Sequence, residues 1–580
     1  MENTNTVGIL GDKNIRLNDL DDFKKEGFLK KHFKMVIIAP LIIIIVVAII
    51  VIVVVSSHKE PSSEEKKEIE YEISTLKIPS DIQLDLSHYL PNGDIFLIYY
   101  RKNTENSTDI CFGTISDNGD NFNEILCGNF TLAYKSNGWR GLPFSDNKRV
   151  LLGDYILECD KELSKCKNGS LILIDYPELL VNRSSIIFLW SEPIISPDDN
   201  YLAWTSLDRV FQSMNFIAKL ERDETTYKLK NIKCISNNML EGYNNVTKIL
   251  TPGVIRGGEL KQFVDGGNAI TEAGAISYGL GRSIYQNLNN ETIYPLSYVP
   301  GYDETTIISP DEKLGVTMST RFSDKTNLAI VGLLPIPYSI YASSRIIQNA
   351  YSFSITNVRN EKNNNGNIGP VLIDINQAIN DKNYIGKNLH EEDGWTFNSP
   401  ISWHYSSKKA LFMEIEKIRD DGKEQNRRIR RVNLKNYEPA EIKKEKKTPE
   451  NIPYALSMEE ALNKPTSLVL DGKIVGKTGE IIFDMKQLSV NLTYNNYSED
   501  NLIFYNGNIL MNMDYLKGEN SYQVNVKMTG KETGNSDFRL TFNNTNNHLL
   551  YDMGSDSKAK TYGSSTYGGK SIDVSIYKQE

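Results

Sequence analysis

Apolar and polar positions divide the chain into three regimes. The first is the run from Met35 to Val55, 21 residues without a charge and nearly all Ile, Val, Leu or Ala. About 20 such residues span a bilayer, and only a helix satisfies its own backbone hydrogen bonds there. A buried strand takes about 4–8 residues and a signal-peptide core about 7–15, so the run predicts a transmembrane helix over residues 35–55. The last regime alternates with period two. Leu488, Val490, Leu492 and Tyr494 share one face, and Tyr522–Met528, Phe538–Phe542 and Ile572–Ile576 repeat the pattern. That predicts a small C-terminal antiparallel β-sandwich or barrel over residues 454–580.

The middle regime carries a repeated turn followed by an apolar run. It appears at Leu142-Pro-Phe-Ser-Asp-Asn-Lys, Ile195-Ser-Pro-Asp-Asp-Asn, Ile308-Ser-Pro-Asp-Glu-Lys and Trp403-His-Tyr-Ser-Ser-Lys, with a looser copy at Leu90-Pro-Asn-Gly-Asp. Proline sets φ, aspartate caps the turn, and the following residues climb into a strand. Ser145 and Ser196 lie 51 residues apart, and Ser196 and Ser309 lie 113 apart, about two periods. A period near 50 is the spacing of four-stranded propeller blades. The fold class is therefore mainly β: a β-propeller of six to eight blades over residues 75–436, the alternative being an array of β-sandwiches. The 113-residue interval calls for one further blade, holding the glycine-rich stretch Gly253–Gly281. The remaining segments read as a cytosolic tail (1–34), a stalk (56–74) and a solvated, lysine- and glutamate-rich linker (437–453).

These turns resemble the Ser-Pro-Asp-Gly-Lys pattern of TolB-like and dipeptidyl-peptidase-IV N-terminal propellers, over roughly residues 85–435. Asp199 and Glu312 stand where that pattern has glycine. An apolar anchor followed by a propeller is also similar to the membrane dipeptidyl peptidases. In such an enzyme the resemblance implies a hydrolase domain after the propeller, with a Gly-x-Ser-x-Gly elbow followed by an aspartate and a histidine. The C-terminal region is too short and too strand-like for one. Its nearest approach, Gly563-Ser-Ser-Thr-Tyr-Gly-Gly569, has no histidine after it.

Charge sets the topology. Lys24, Lys25, Lys30, Lys31 and Lys34 crowd the N-terminal flank of the apolar run, which places the N-terminus in the cytosol. Asn-x-Ser/Thr acceptors occur at Asn106, Asn129, Asn168, Asn182, Asn245, Asn290, Asn491, Asn496 and Asn543, all on the other side. All five cysteines lie there too, as suits an oxidising compartment, and the expected pairs are Cys159–Cys166 and Cys111–Cys127. The reading is a single-pass type II membrane glycoprotein of the plasma membrane or an endomembrane, its ectodomain extracellular or luminal. A net charge of −9 gives no reason to expect nucleic acid as a partner.

Chemistry is sparse. The six histidines show no metal-binding spacing, so no metal or cofactor is expected. Ser116-Asp-Asn-Gly-Asp-Asn-Phe122 partly matches an Asp-box hairpin, and Arg140-Gly-Leu-Pro143 lacks the tight spacing of a sialidase motif. His390-Glu-Glu-Asp-Gly394 reads as a solvated acidic loop. No catalytic residue is assigned. The glycine-rich stretch supplies the binding candidates Arg256, Glu259, Asp265 and Glu272, and Trp204 and Trp190 are expected in the core. The favoured function is a non-catalytic binding, adhesion or scaffold ectodomain for a protein or carbohydrate ligand. The alternative is a hydrolase-type ectoenzyme, peptidase-like or glycosidase-like, which carboxylates converging on the propeller's axis would favour.

Overall fold

The computed structural model describes residues 68–574, except residues 323–367 and shorter stretches at 103–107, 135–138, 183–187, 209–212, 237–241, 252–255, 275–281, 300–302, 417–424, 465–470, 515–518 and 552–559, with single residues or pairs elsewhere. Among the described residues no helix is long and apolar enough to cross a membrane, and the segment Met35–Val55 lies outside them.

Among the described residues, six runs of four antiparallel strands follow one another along the chain; the second and third are joined at their outer edges by a parallel contact of Tyr227 and Lys228 with Ile174 and Asp175. Blade 1 comprises Ile82–Tyr89, Ile95–Arg101, Ile110–Ile115 and Asn123–Gly128. Blade 2 comprises Leu142–Pro143, Arg149–Leu152, Tyr155–Glu158 and Ser170–Asp175, and blade 3 Ile194–Ile195, Tyr201–Leu207, Ser213–Arg222 and Tyr227–Cys234. Blade 4 comprises Gly258–Val264, Ala269–Gly274, Arg282–Asn287 and Ile293–Pro295. Blade 5 comprises Asp303–Ile308, Leu314–Ser319, Gly369–Asp374 and Lys387–Asn388. Blade 6 takes three strands from Trp395–Trp403, Lys409–Glu416 and Arg427–Leu434, and its fourth is Tyr71–Thr75. That strand, which the sequence pattern left mostly in the stalk, closes the ring by pairing Tyr71 with Leu434 through to Thr75 with Arg430. Except between blades 2 and 3, the first strands of successive blades face one another, which makes them the inner ring. Among the described residues this is the architecture of a β-propeller with six blades.

Apolar side chains between blades form the core. Leu86, Phe96 and Phe112 of blade 1 pack with Val150 and Leu157 of blade 2. Trp204 and Phe216 of blade 3 meet Leu151 and Ile156 of blade 2, and Trp204 is fully buried as expected. Trp190 is not: it is 45% exposed, because it precedes the first strand of its blade instead of lying between sheets. Leu411, Met413 and Ile429 of blade 6 pack on Ile95, Leu97 and Tyr99 of blade 1.

The repeated turns are equivalent. Each joins the first and second strands of its blade and ends on a residue in the left-handed region: Gly93, Asn147, Asp199, Glu312 and Ser407, at φ of 91°, 57°, 61°, 60° and 57°. The sixth turn, Asp265-Gly266-Gly267-Asn268, lacks the serine–aspartate pattern but closes through the same bond, Asn268 N–H to the Asp265 carbonyl. Asp199 and Glu312 accept the unfavourable φ because their side chains reach the preceding blade. Asp199 accepts from the Ser145 backbone N–H and hydroxyl, and Glu312 from the Asp265 N–H. Ser407 likewise accepts from the Asp311 N–H at 3.0 Å. Gly93 has a different reason: a Cβ there would stand 2.7 Å from His404 Nε2 across the closing seam.

Both expected disulfides are present. Cys159–Cys166 joins the third and fourth strands of blade 2, Cys111–Cys127 those of blade 1, and Cys234 is free and buried.

Residues 437–454 are not a free linker. Their described residues, all but 444 and 445, lie across the turns of blades 5, 4 and 3 as a bound strap. Asp311 accepts from the Tyr437 hydroxyl and the Ala440 N–H, Lys443 pairs with Asp265, Lys447 N–H donates to the Gly266 carbonyl, and Asp198 accepts from Thr448 N–H at 2.9 Å. Leu456–Ser457 then pairs with the outer strand of blade 3. Ser457 and Glu460 form a capping box that starts the helix Met458–Asn463, whose Ala461 and Leu462 enter the core shared by blades 2 and 3. Beyond it lies an antiparallel meander: Asp471–Val475, Thr478–Lys486, Ser489–Ser498, Ile503–Asp514, Glu519–Gly530, Gly534–Thr545, Tyr562–Tyr567 and Lys570–Asp573. Phe483, Leu492, Ile509, Val524 and Leu540 are buried along its length. A hairpin between blades 3 and 4, Tyr243–Asn244 with Ile249–Leu250, joins its edge through Ile249 and Lys473.

The seam between blades 6 and 1 makes the fold sensitive to acid. His88 is enclosed there, its Nδ1 contacting the Tyr89 carbonyl at 2.9 Å and the Ser402 hydroxyl at 3.1 Å. Burial pushes it down to about 4, against the opposing hydrogen bond to Tyr89. The unfolded chain takes up this proton near the ordinary value of 6.5, so stability is full above that pH and falls as pH drops toward 4, by about 3 kcal/mol for a shift of this size. Urea unfolding between pH 7 and pH 4 should show this loss, and His88→Gln should flatten it.

Candidate functional site

Four of the six inner strands carry a β-bulge. The register slips between Leu84 and Leu86 in blade 1, Leu260 and Gln262 in blade 4, Asp303 and Thr306 in blade 5, and Asn398 and Ile401 in blade 6. A bulge frees one residue from the pleat and re-aims its side chain. Here the slips fall at Asp85, Lys261 and Glu304, charged residues on the inner ring of an otherwise apolar sheet.

Lys261 is the centre. Its Nζ lies 2.9 Å from Glu259 Oε1 and 3.7 Å from Glu304 Oε1. Glu192, just ahead of the inner strand of blade 3, also acts on it and receives Arg140 Nε at 2.9 Å. Blades 2, 3, 4 and 5 thus each send one or two charges to one place: two cations and three carboxylates. Burial disfavours the Lys261 ammonium, but Glu259, Glu304 and Glu192 outweigh it and hold the group above its ordinary value. The start of the blade 5 strand is fixed by the buried pair of Arg321 with Asp303 at 2.7 Å, beside Glu304, with Arg321 also donating to Ser297 and Ser319. Trp190, Tyr298 and Phe322 are exposed. The arrangement is a charged, nearly balanced cluster on the inner ring.

The four residues singled out from sequence do not meet. Glu259 belongs to the Lys261 cluster. Glu272 is buried within the sheets, accepting from Asn215 Nδ2 at 2.7 Å and from Gly257 N–H. Arg256 stacks on the Tyr454 ring at 4.6 Å, and Asp265 pairs with Lys443, so both hold the strap. Gly267 explains part of the glycine richness: its φ is 101°, and a Cβ would meet Thr448 Oγ1 at 2.6 Å. Lys261, Glu304, Glu192 and Arg140 escaped selection, since a bulge leaves no mark in sequence. The available signal was Glu259-Leu-Lys261, charges two apart entering a strand.

Other motifs resolve into structure. Asp117, in the hairpin that partly matches an Asp-box, binds Tyr89, Lys409 and Arg431 and so ties blade 1 to blade 6. In the loop read as solvated, Glu392 and Gly394 are exposed; His390 faces Glu414, and Glu392 pairs with Arg428 and Arg430. Ser565 lies buried on a strand, 2.7 Å from the Ser536 hydroxyl. Cys111, Glu124 and Cys127 lie close enough to hold a metal, but the two cysteines form a disulfide. Of the asparagines in Asn-x-Ser/Thr motifs, Asn129, Asn168, Asn182, Asn245, Asn290, Asn491 and Asn496 are exposed; Asn106 and the Asn543 side chain lie outside the described residues.

No protein-family model and no curated protein matches the sequence. Among solved structures, the chain is similar to a TolB protein from Agrobacterium tumefaciens (9% identity, 55% of this chain and 94% of that one, TM-score 0.29). It is also similar to TolB from Acinetobacter baumannii (10%, 63% and 80%, TM-score 0.27) and to an oligogalacturonate lyase from Vibrio parahaemolyticus (8%, 63% and 97%, TM-score 0.32). At such scores the propeller assignment rests on the chain's own sheet topology.

Lys261→Met should leave three carboxylates facing one another. Because these are partly exposed, stability should fall by about 2–3 kcal/mol in urea unfolding, below the roughly 3–5 kcal/mol of a fully buried pair. Lys261→Arg should recover most of the loss.

Proposed function

We propose that the chain is a single-pass type II membrane glycoprotein whose propeller is a non-catalytic binding, adhesion or scaffold module, with the charged cluster around Lys261 as its recognition surface. The observation that carries this reading is the pairing of the inner-ring charges. Glu259 and Glu304 share the Lys261 ammonium, and Glu192 is engaged by Arg140. Carboxylates engaged by cations in this way remain good hydrogen-bond acceptors. Balanced charge with exposed Trp190 and Tyr298 suits a polar, uncharged ligand such as a carbohydrate, or a protein loop. The membrane part of the reading draws on the apolar run 35–55, the lysines ahead of it, the two disulfides and the exposed acceptor asparagines.

The full chain made in a eukaryotic host should shift in mobility on enzymatic deglycosylation, and replacing Asn106, Asn168 and Asn491 together by Gln should reduce that shift. An unchanged mobility would overturn the topology. An active-serine probe should leave the chain unlabelled. Specific labelling lost in Ser565→Ala would sink the binding reading and restore the hydrolase.

A further inference from the structure

The C-terminal sheet buries one face and leaves the other to solvent. Along Glu519–Gly530, Tyr522, Val524 and Val526 are buried, and along Gly534–Thr545 so are Ser536, Phe538 and Leu540. The pleat turns the positions between them outward. Those outward positions are unusual for strands: Asn491, Asn495, Asn506, Asn508, Asn525 and Asn535 are all exposed there. Asparagine is depleted from strands, so a face built on it departs from local preference, as binding surfaces do.

Strand register assembles one compact patch on that face. Gln523 stands opposite Arg539, and Arg539 opposite Tyr562; one step along, Asn525 stands opposite Asp537, and Asp537 opposite Ser564. Neighbouring strands lie about 4.8 Å apart and alternate residues about 7 Å apart, so the six side chains cover roughly 10 Å by 7 Å, the footprint of a disaccharide. The Tyr562 side chain is 48% exposed. Gly563 sets its place: φ there is 99°, and a Cβ would lie 2.2 Å from the Asp537 carbonyl oxygen, so only glycine lets this strand approach its neighbour between Tyr562 and Ser564. The charged pair of the patch is weakly engaged. Asn525 Nδ2 lies 3.5 Å from Asp537 Oδ1, and Arg539 Nε 3.4 Å from Thr541 Oγ1. Among the described residues neither Asp537 nor Arg539 forms an ion pair, whereas Arg149, Arg222, Arg428 and Arg431 of the propeller all do.

We propose that this patch is a carbohydrate-binding site, separate from the inner-ring cluster, that takes an uncharged unit of a free oligosaccharide with the Tyr562 ring against the sugar's apolar face. The charges select the class. A sugar hydroxyl donates and accepts at once, and the patch offers an acceptor-only carboxylate, a donor-only guanidinium, and two amides and a hydroxyl that do both. Asp537 repels an acidic ligand and Arg539 a basic one, while together they leave the patch neutral. Tyrosine, asparagine and serine supply contact area and adaptable hydrogen bonds at low entropic cost, and paired strands hold them in place. A glycan attached at Asn491 would start in the same row, beyond Leu510, so the free ligand is tested with that acceptor removed.

The full chain carrying Asn491→Gln, purified in a detergent without a sugar head group, is passed over an array of immobilised neutral, acidic and amine-bearing oligosaccharides. The expected result is binding confined to neutral glycans, with the affinity of the strongest then measured by titrating the free oligosaccharide. Tyr562→Ala and Asp537→Asn should each weaken that affinity about tenfold, and Tyr562→Phe, which keeps the ring, should retain it. All three positions of change are exposed, so the melting temperature should not move. No binding to any neutral glycan, binding to charged glycans alone, or an affinity unchanged by Tyr562→Ala overturns the proposal. An affinity that survives Tyr562→Ala but is lost in Lys261→Met assigns the sugar to the inner ring, which overturns this site and leaves the propeller reading standing.

Discussion

The structure depends on closing a ring. Six twisted sheets can bury their faces against one another only if the last meets the first, and here the last is assembled from both ends of the domain. Tyr71–Thr75 enters before any blade is complete and pairs with Arg427–Leu434 more than 350 residues later. The seam it creates is correspondingly rich in directional contacts: Asp117 with Tyr89, Lys409 and Arg431, His88 with Ser402, and Gly93 beneath His404. Apolar packing draws sheets together without regard to partner; these polar contacts specify which sheet is next.

The turns serve the same closure at each step of the ring. A left-handed residue at the end of the turn would ordinarily be glycine. In three blades it carries a polar side chain that bonds the preceding blade, so local strain is exchanged for an inter-blade tie. The aspartate one position earlier adds a second duty in blades 3 and 5, where Asp198 and Asp311 grip the strap.

Much of this was legible in sequence because it is local. Proline, serine and aspartate write the turn into the chain, and their spacing places the blades, including the one between Ser196 and Ser309 whose own turn is written differently. Period-two alternation likewise marks the C-terminal strands, and proximity marks the Cys159–Cys166 pair. What was not legible is set by tertiary register. The inner-ring bulges that re-aim Lys261 and Glu304 depend on how two strands slip past each other. The strap has a linker's composition, yet its lysines and backbone amides find acceptors that exist only once three blades stand side by side. Arg256, Asp265 and Glu272, adjacent in a glycine-rich stretch, diverge for the same reason: each faces a different neighbour.

The position of the closing strand has a mechanical consequence. Tension on the chain ahead of residue 70 is delivered first to Tyr71–Thr75, the strand that completes the ring, before it reaches any disulfide or any blade made from one continuous segment. Five residue pairs hold that strand at the sheet edge, and their release would expose the outer edge of blade 6. Pulling on the N-terminal side therefore acts on the strand that completes the ring, and a load there would be felt as opening of the ring, not as unravelling from the end.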